Sequence, residues 1–458
     1  MVVGVARVRV PRESALADVV RLRPFRRLWL VFGLSSLGDW LGLLGASTFA
    51  AGQLSSSAGQ GAAFGGVVAV QLLPSLILGP LAGVLADRFD RRRTMAYADV
   101  ARFLLFASIP LAGVLLTGPA MIVGWAAAAA FSAQVAAMIW NPAKEAAVPN
   151  LIPRDRLEAA NQLTIATTYA VTPVLAALAF AGLLELPSIG RTDATGYALY
   201  FDALTFLASA LVVWFGVPEL SGRGERSATR EHPRRALAAG WRYLSGTPLL
   251  RGLLIGLLGA FGGAGIIVGT AKFYARSLGG GDATFALLFA GLFAGFGLGV
   301  TAGPRLAGPL SRRRTFALSV MLAGTAVMLL AVTPRLSGAI AEVLVVGFGA
   351  GAAFLSGITL IGAEVADDVR GRVFAFVQTT ARAVLMLAVS ASSALVGLGS
   401  SRQLRFGDHA IALASSRLLF LGAGALGIAV GAVALRQMDD RTGVPVREDL
   451  RRVLRRRG

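Results

Sequence analysis

"LADRFDRRRTM", residues Leu85 to Met95, places two carboxylates and four arginines between two of the most apolar runs in the chain. Charge of that density belongs in a short loop at a membrane surface, where hydrocarbon ends and water begins. The composition of the whole chain points the same way. Of the 458 residues 55% are apolar and 15% charged, and the mean hydropathy is +0.68, whereas soluble domains average about 45–50% apolar and about 25% charged. Apolar runs of roughly 20 residues, enough for a helix to cross a hydrocarbon layer of about 30 Å, recur along the length. The expectation is an all-α membrane protein with many spans.

Several chemistries are excluded or disfavoured at once. There is no cysteine, hence no disulfide, thiolate nucleophile or thiolate metal site. The two histidines, His232 and His409, lie outside the long apolar runs, which argues against a buried histidine metal or acid/base centre. No G-x-x-x-x-G-K-[ST] loop is present to cradle a nucleotide, so direct ATP drive is not expected and no cofactor is called for. "GAFGGAG" (259–265) and "GLFAGFGLG" (291–299) are glycine-rich but embedded in apolar runs, and read as helix-packing surfaces or flexible points rather than phosphate cradles. The net charge of +19 lies in short loops and tails. It reads as a topology signal, with no nucleic-acid partner.

Twelve spans are predicted, over about 28–51, 64–86, 95–117, 119–140, 160–183 and 197–217, then 249–275, 283–304, 315–333, 337–361, 372–399 and 410–435. With that count the loops on one side hold 34 lysines and arginines and those on the other hold 5. Positive loops stay in the cytoplasm, so both termini are expected there, in a protein of the cytoplasmic membrane. Residues 1–27 hold seven arginines and no continuous apolar core, which is unlike a cleavable signal. The predicted division is an N-terminal segment 1–27, a six-helix half 28–217, a linker 218–248, a second half 249–435 and a basic tail 436–458. The tail reads equally as lying on anionic lipid or as solvated.

The opening stretch has an echo. "GPLAGVLADRFDRRRT" (79–94) is answered by "GPRLAGPLSRRRT" (303–315), with the RRRT tetrads 221 residues apart, and "IPRDRLEAANQL" (152–163) is answered by "VADDVRGRVFAF" (365–376). Both pairs fall at matching places in the two halves. Two six-helix halves in parallel repeat follow, related by an axis along the membrane normal.

On these residues the chain resembles the major facilitator superfamily. "GVLADRFDRRR" (83–93) is similar to the signature loop between that family's second and third helices, broadly G-x-x-x-D-R-x-G-R-R-R, with Asp90 standing where the pattern has glycine. Together with "NPAKEAAVPNLIPRDRLEAANQL" (141–163), "YFDALTFLASA" (200–210) and "RGRVFAFVQ" (370–378) it looks like the branch of enterobactin exporters and macrolide efflux proteins. The resemblance implies a latch in which Asp87 meets the start of the eleventh helix near Arg370, Gly371 and Arg372, where a carboxylate faces a positive helix end. Gly83, Arg88, Arg91 and Arg92 complete the implied latch. Asp99 and Arg102, three apart on one helix, are expected to form an ion pair beside it.

Ionisable groups within spans are costly and therefore functional candidates. Asp39 lies about eleven residues, or about 16 Å, into the first span. Hydrocarbon disfavours its charged form, which makes it the proton-coupling candidate; the alternative is an aspartate permanently hydrogen-bonded or facing an outer vestibule. Arg382 reaches similar depth in the eleventh span and needs an anion, which could be Asp39, another carboxylate or the substrate. Lys272 and Glu342 fall near external helix ends, where snorkelling or solvation is expected. The fifth span has a polar face of Gln162, Thr164, Thr168 and Thr172. Thr172-Pro173 stands where antiporter-like relatives carry Gly-Pro, which weakens the antiport inference. Gln134, Trp140, Tyr169 and Gln378 are candidates, with Gln162, Thr168 and Arg382, to line a substrate cavity.

Three functions were open to such a chain. A proton-coupled exporter of small amphipathic molecules, drug-like or siderophore-like, working by alternating access, fits the charges and the resemblance. A lipid flippase or metabolite importer of the same fold would need a lateral opening or a more polar cavity. A membrane enzyme or sensor would need clustered catalytic groups or a folded soluble module, and neither is visible. The expected partners are a small-molecule substrate, the bilayer and protons, with the chain a monomer because two closed halves need no further chain.

Overall fold

The computed structural model describes residues 18–86, 90–153, 156–187, 194–218, 241–242, 246, 248–308, 310–398, 402–406, 409–413, 415–440 and 448–449, without the side chains of 78–86, 142, 145–151, 158, 367–368, 370–371, 398, 402–406 and 409–413. Among these residues twelve helices are long and apolar enough to cross a membrane. They are α1 (Arg23–Gly52), α2 (Ser57–Ala86), α3 (Arg91–Leu115), α4 (Pro119–Leu151), a broken α5 (Leu157–Ala166 and Thr172–Leu184), α6 (Ala194–Leu211), α7 (Pro248–Ser277), α8 (Asp282–Ala307), α9 (Arg312–Val332), α10 (Leu336–Glu364), α11 (Asp367–Leu398) and α12 (Ser415–Met438). A short antiparallel hairpin, β1 (Arg402–Phe406) and β2 (His409–Leu413), links the last two. It takes up the start expected for the twelfth span. α4 runs on as a helix through much of the loop expected after residue 140, passing Pro142 and Pro149, and ends at Leu151, where Ile152 before Pro153 is extended, as the residue ahead of a proline tends to be.

The two halves pack alike. In the first, α1 packs on α5 and α6, α3 on α4 and α6, and α2 on α4. In the second, α7 packs on α11 and α12, α9 on α10 and α12, and α8 on α10. Glycine sets the closest of these crossings. A Cβ on Gly299 would lie 2.1 Å from the Phe348 carbonyl oxygen, and one on Gly347 would lie 1.9 Å from that of Leu292, so α8 and α10 touch backbone to backbone as small residues in membranes permit. The glycine run 291–299 is used as a packing surface. Large side chains such as Leu104, Leu178, Leu329 and Leu387 stay exposed around the outside, as a lipid-facing surface requires.

The RRRT echo is structural as well. Asp90 caps α3, its carboxylate accepting from the Arg93 N–H at 2.9 Å, and Ser311 caps α9, accepting from the Arg314 N–H at 3.2 Å. The departure from glycine at position 90 therefore supplies a helix cap.

Where the halves meet is uneven across the membrane. On the side away from the arginine-rich loops one apolar core is shared, with Leu41, Phe64 and Phe180 of the first half against Phe285, Val343 and Phe420 of the second. On the arginine-rich side each half keeps its own core, one around Phe32, Trp140 and Val213 and the other around Leu254, Phe316 and Val377. α11 shows the transition along one face. Gln378, Arg382, Val389, Ser393 and Val396 recur at helical spacing; Val389, Ser393 and Val396 are buried while Gln378 and Arg382 are exposed. The Ser393 hydroxyl donates to the Gly61 carbonyl at 2.7 Å, so α2 covers this face on the far side and leaves it open on the arginine-rich side.

Candidate functional site

The first half holds a polar island in its apolar interior. Arg102 on α3 is 1% exposed and pairs with Asp39 of α1 and, at 3.4 Å, with Asp99 of its own helix. Its Nη1 also donates to the Ser35 hydroxyl at 2.9 Å, and its guanidinium carbon lies 3.8 Å from the centre of the Phe206 ring. Asp99 accepts further from the Trp140 Nε1 at 3.0 Å and the Ser209 hydroxyl at 2.6 Å. The expected Asp99–Arg102 pair thus exists, but it serves the interior of the half and engages Asp39. Trp140 is a buried donor to that network, which removes it from the cavity lining.

Asp39 is the member of the island that reaches outward. Its side chain is 38% exposed, on a helix that packs against α2, α4, α5 and α6 and meets α8 of the second half through the neighbouring Trp40. Asp39 does not pair with Arg382. Arg382 is exposed on the open face of α11 with no hydrogen bond or ion pair to any described residue.

Beside Asp39 the fifth helix changes its winding. Pro173 lacks an N–H and its ring crowds the preceding turn, and the chain answers with a π-helical turn over Thr167–Val171, the kind of local defect that often marks working sites. The loosened carbonyls find other donors. The Thr172 hydroxyl donates to the Thr167 carbonyl at 2.9 Å, and the Trp40 Nε1 donates to the Thr168 carbonyl at 3.0 Å. Trp29 holds the Thr167 hydroxyl at 2.9 Å, and Ser36 and Thr172 share a hydrogen bond of 2.7 Å. Two tryptophans of α1 therefore clamp the turn. Tyr169, at its centre, is 44% exposed and lies 6.3 Å, ring to ring, from Phe354 of α10. Phe289, Phe293, Phe296 and Phe354 continue as a chain of ring contacts along the second half. Gln162 and Gln378 are exposed on either side, while Gln134 and Thr168 are half-buried. An aromatic wall thus joins the two halves, with Asp39 partly exposed in the first and Arg382 exposed in the second.

The latch implied by resemblance is only partly in view. Asp87 and Arg88 lie outside the described residues, as do the side chains of Gly83, Arg370 and Gly371. Arg92 is engaged within its own half: it donates to the Trp214 carbonyl and lies 5.6 Å from that ring. Arg27 donates to the Gly216 carbonyl at 2.8 Å, so two arginines satisfy the carbonyls of the π-helical turn Val212–Gly216, as cations at a helix C-terminus do. Arg91 is half-exposed.

Two external charges behave differently from the sequence reading. Lys272 is 3% exposed and paired with Asp282 at 3.0 Å, because the tight turn at Gly279, φ +79°, folds α8 back beside the end of α7. Glu342 accepts from the Thr333 hydroxyl at 2.6 Å, and its other oxygen is buried. Neither is solvated as expected. At the opposite end, fully buried Arg314 binds Asp439 at 2.8 and 2.9 Å and Asp449 at 2.7 Å, fastening part of the tail to the start of α9.

Asp202 on α6 was missed. It is fully buried, and it sits where α1 thins to Gly42: a Cβ there would come 3.0 Å from Asp202 Oδ2 and 2.6 Å from the Phe106 ring. The signal was present, since a carboxylate stood inside a predicted span.

Known proteins agree with this architecture. The family description "Major Facilitator Superfamily" matches residues 28–391. The uncharacterized MFS-type transporter Rv0037c of Mycobacterium tuberculosis is 28% identical over 83% of this chain and 86% of its own. YfiS of Bacillus subtilis, also an uncharacterized MFS-type transporter, is 28% identical over half of each chain, so the match spans about half of its length. Macrolide efflux protein A of Enterococcus faecalis is 27% identical over 33% of this chain and 44% of its own. Among solved structures, a bacterial homolog of the human lysosomal transporter Spinster, in an inward-facing and unoccupied conformation, aligns with TM-score 0.67 and 15% identity over 93% of this chain and 98% of that one. A D-xylose-proton symporter aligns with TM-score 0.68 and 13% identity over 92% and 99%. Both share the fold. A family match across most of the chain, on twelve helices in two alike halves, places this protein in the Major Facilitator Superfamily of membrane transporters.

Proposed function

We propose that this protein is a proton-coupled secondary transporter that exports small amphipathic molecules, drug-like or siderophore-like, by alternating access. The observation that carries the proposal is Asp39, a partly exposed carboxylate bound to a buried guanidinium, which we take to lie near mid-membrane with its exposed side toward the space between the halves. A proton arriving there cancels the charge that Arg102 binds, and so trades proton uptake against an internal ion pair. The arginine-rich side is taken as cytoplasmic, which makes the membrane the cytoplasmic one, both termini internal and this conformer inward-open. Residues 28–217 and 249–435 are then the two rocking halves, joined by the linker 218–248 and working as a monomer.

The aromatic wall suits an apolar substrate body, and Tyr169, Gln162, Thr168, Gln134, Gln378 and Arg382 are the proposed polar contacts. Asp87 with Arg370 to Arg372 is the proposed cytoplasmic latch, which is undone when the opening faces inward. Partial likeness to a macrolide efflux protein supports the outward direction. The test is accumulation of a fluorescent amphipathic dye in proteoliposomes under an imposed pH gradient, for the parent and for Asp39→Asn. Gradient-driven movement that disappears in Asp39→Asn is expected; equal movement in both removes Asp39 from coupling.

A further inference from the structure

The polar island holds more acid than its arginine uses. Asp39 from α1, Asp99 from α3 and Asp202 from α6 all lie within electrostatic reach of Arg102. Lys144 of α4, which rests over the Phe32 and Trp140 rings, acts on Asp39 as well. Asp39 and Asp99 hold donors; among the described residues Asp202 holds none. Both of its oxygens are buried without a hydrogen-bond partner, a condition that is costly for an ionised carboxylate. The matching vacancy is on Arg102, whose Nε–H is also buried and unused. An unused donor and two unused acceptors therefore face one island.

Depth fits the pairing. Asp202 is eight residues, roughly 12 Å, into α6 from the far side, and Arg102 is eleven residues, roughly 16 Å, into α3 from the arginine-rich side; in a layer about 30 Å thick these meet. Gly42, lacking a side chain, lets Asp202 and the Phe106 ring come up against the backbone of α1.

Building on the proton-coupled reading above, we propose that Asp202 is a second proton-binding site and the alternate partner of Arg102: the guanidinium pairs with either Asp39 or Asp202, and the carboxyl it leaves carries the proton. In the present conformer Arg102 holds Asp39, and Asp202 is the acid. When Asp39 takes up a proton, its bond to the guanidinium is lost, Arg102 turns its free Nε–H side to Asp202, and Asp202 releases its proton as it ionises. One proton is bound as one is released, with the arginine charged throughout. Asp99, tied to Trp140 and Ser209, stays the fixed anion.

Infrared spectroscopy of the full-length protein in lipid tests this without substrate or gradient. At neutral pH the parent is expected to show the carbonyl stretch of a protonated carboxylic acid without strong hydrogen bonds, sensitive to exchange into D2O. Asp202→Asn should lose that band, which assigns it. Asp39→Asn should lose it as well, because Arg102 then has only Asp202 to turn to. Should Asp202→Asn fail to accumulate, Asp202→Glu makes the assignment by shifting the band. Absence of the band in the parent, or its persistence in Asp39→Asn, overturns the proposal. A proteoliposome result against Asp39 coupling would sink the transport reading separately, since this spectrum does not depend on it.

Discussion

Replacing Gly61 by alanine should push the protein out of the conformer described here. The new methyl would stand 2.4 Å from the Ser393 carbonyl oxygen and 3.3 Å from the Gly397 Cα. Both neighbours are backbone of α11 and have no side chain to swing aside. An ordinary carbon–oxygen contact is about 3.3 Å, so α2 and α11 must part by roughly 0.9 Å at this point. Overpacking of that order costs about 1–3 kcal/mol, and the parting also strains the Ser393–Gly61 hydrogen bond. The cost falls only on the state closed at the far side, because in the other state these helices are apart. A bias of that size is about 5- to 150-fold in the ratio of the two states. The chain has no cysteine, so spin labels at Ser55→Cys and Arg335→Cys, exposed positions on the far side of either half, report the separation alone. Pulsed dipolar spectroscopy should show a longer distance gaining population in Gly61→Ala, while thermal stability holds, since alanine favours the helix by about 1 kcal/mol in both states. Superimposable distance distributions would refute the reasoning that this contact seals the far side.

Other parts of the structure answer to single changes. Arg314→Met removes the ion pairs to Asp439 and to buried Asp449 and should cost about 3 kcal/mol, the lower end of the range for a broken buried ion pair; a thermal melt checks it. Arg382→Gln should weaken competition by an amphipathic carboxylate by about tenfold to 150-fold, the worth of one charge-assisted hydrogen bond of about 1.5–3 kcal/mol, and leave a neutral analogue unchanged in the same binding assay. Asp90→Ala removes the α3 cap, and should lower stability by about 0.5–2 kcal/mol, read as an earlier melt with the conformational ratio unaltered.

The spans, the two halves and the places of Asp39 and Arg382 within their spans were legible because each rests on local apolar runs interrupted by charge. What the sequence left ambiguous was which charges meet. Arg102 was matched to Asp99 by spacing along one helix, but its bond to Asp39 depends on α1 packing beside α3, a long-range fact. Asp202 went unread although it stood within the sixth span, since its role appears only when three helices bring their carboxylates to one arginine. Lys272 looked like a snorkelling end group until the Gly279 turn returned Asp282 to it. Pro173 announced a disturbance in α5, and the π-helical turn is its consequence; the tryptophan clamp on the loosened carbonyls could not be seen from α5 alone.

The central claim is that proton movement and substrate movement are tied through Asp39. Its most direct test reverses the usual assay: proteoliposomes loaded with substrate, no pH gradient imposed, and a trapped pH dye to record proton flux as the substrate runs out. The account predicts counterflow of protons that begins with substrate release and vanishes in Asp39→Asn. Substrate efflux by the parent with no accompanying proton flux would contradict it.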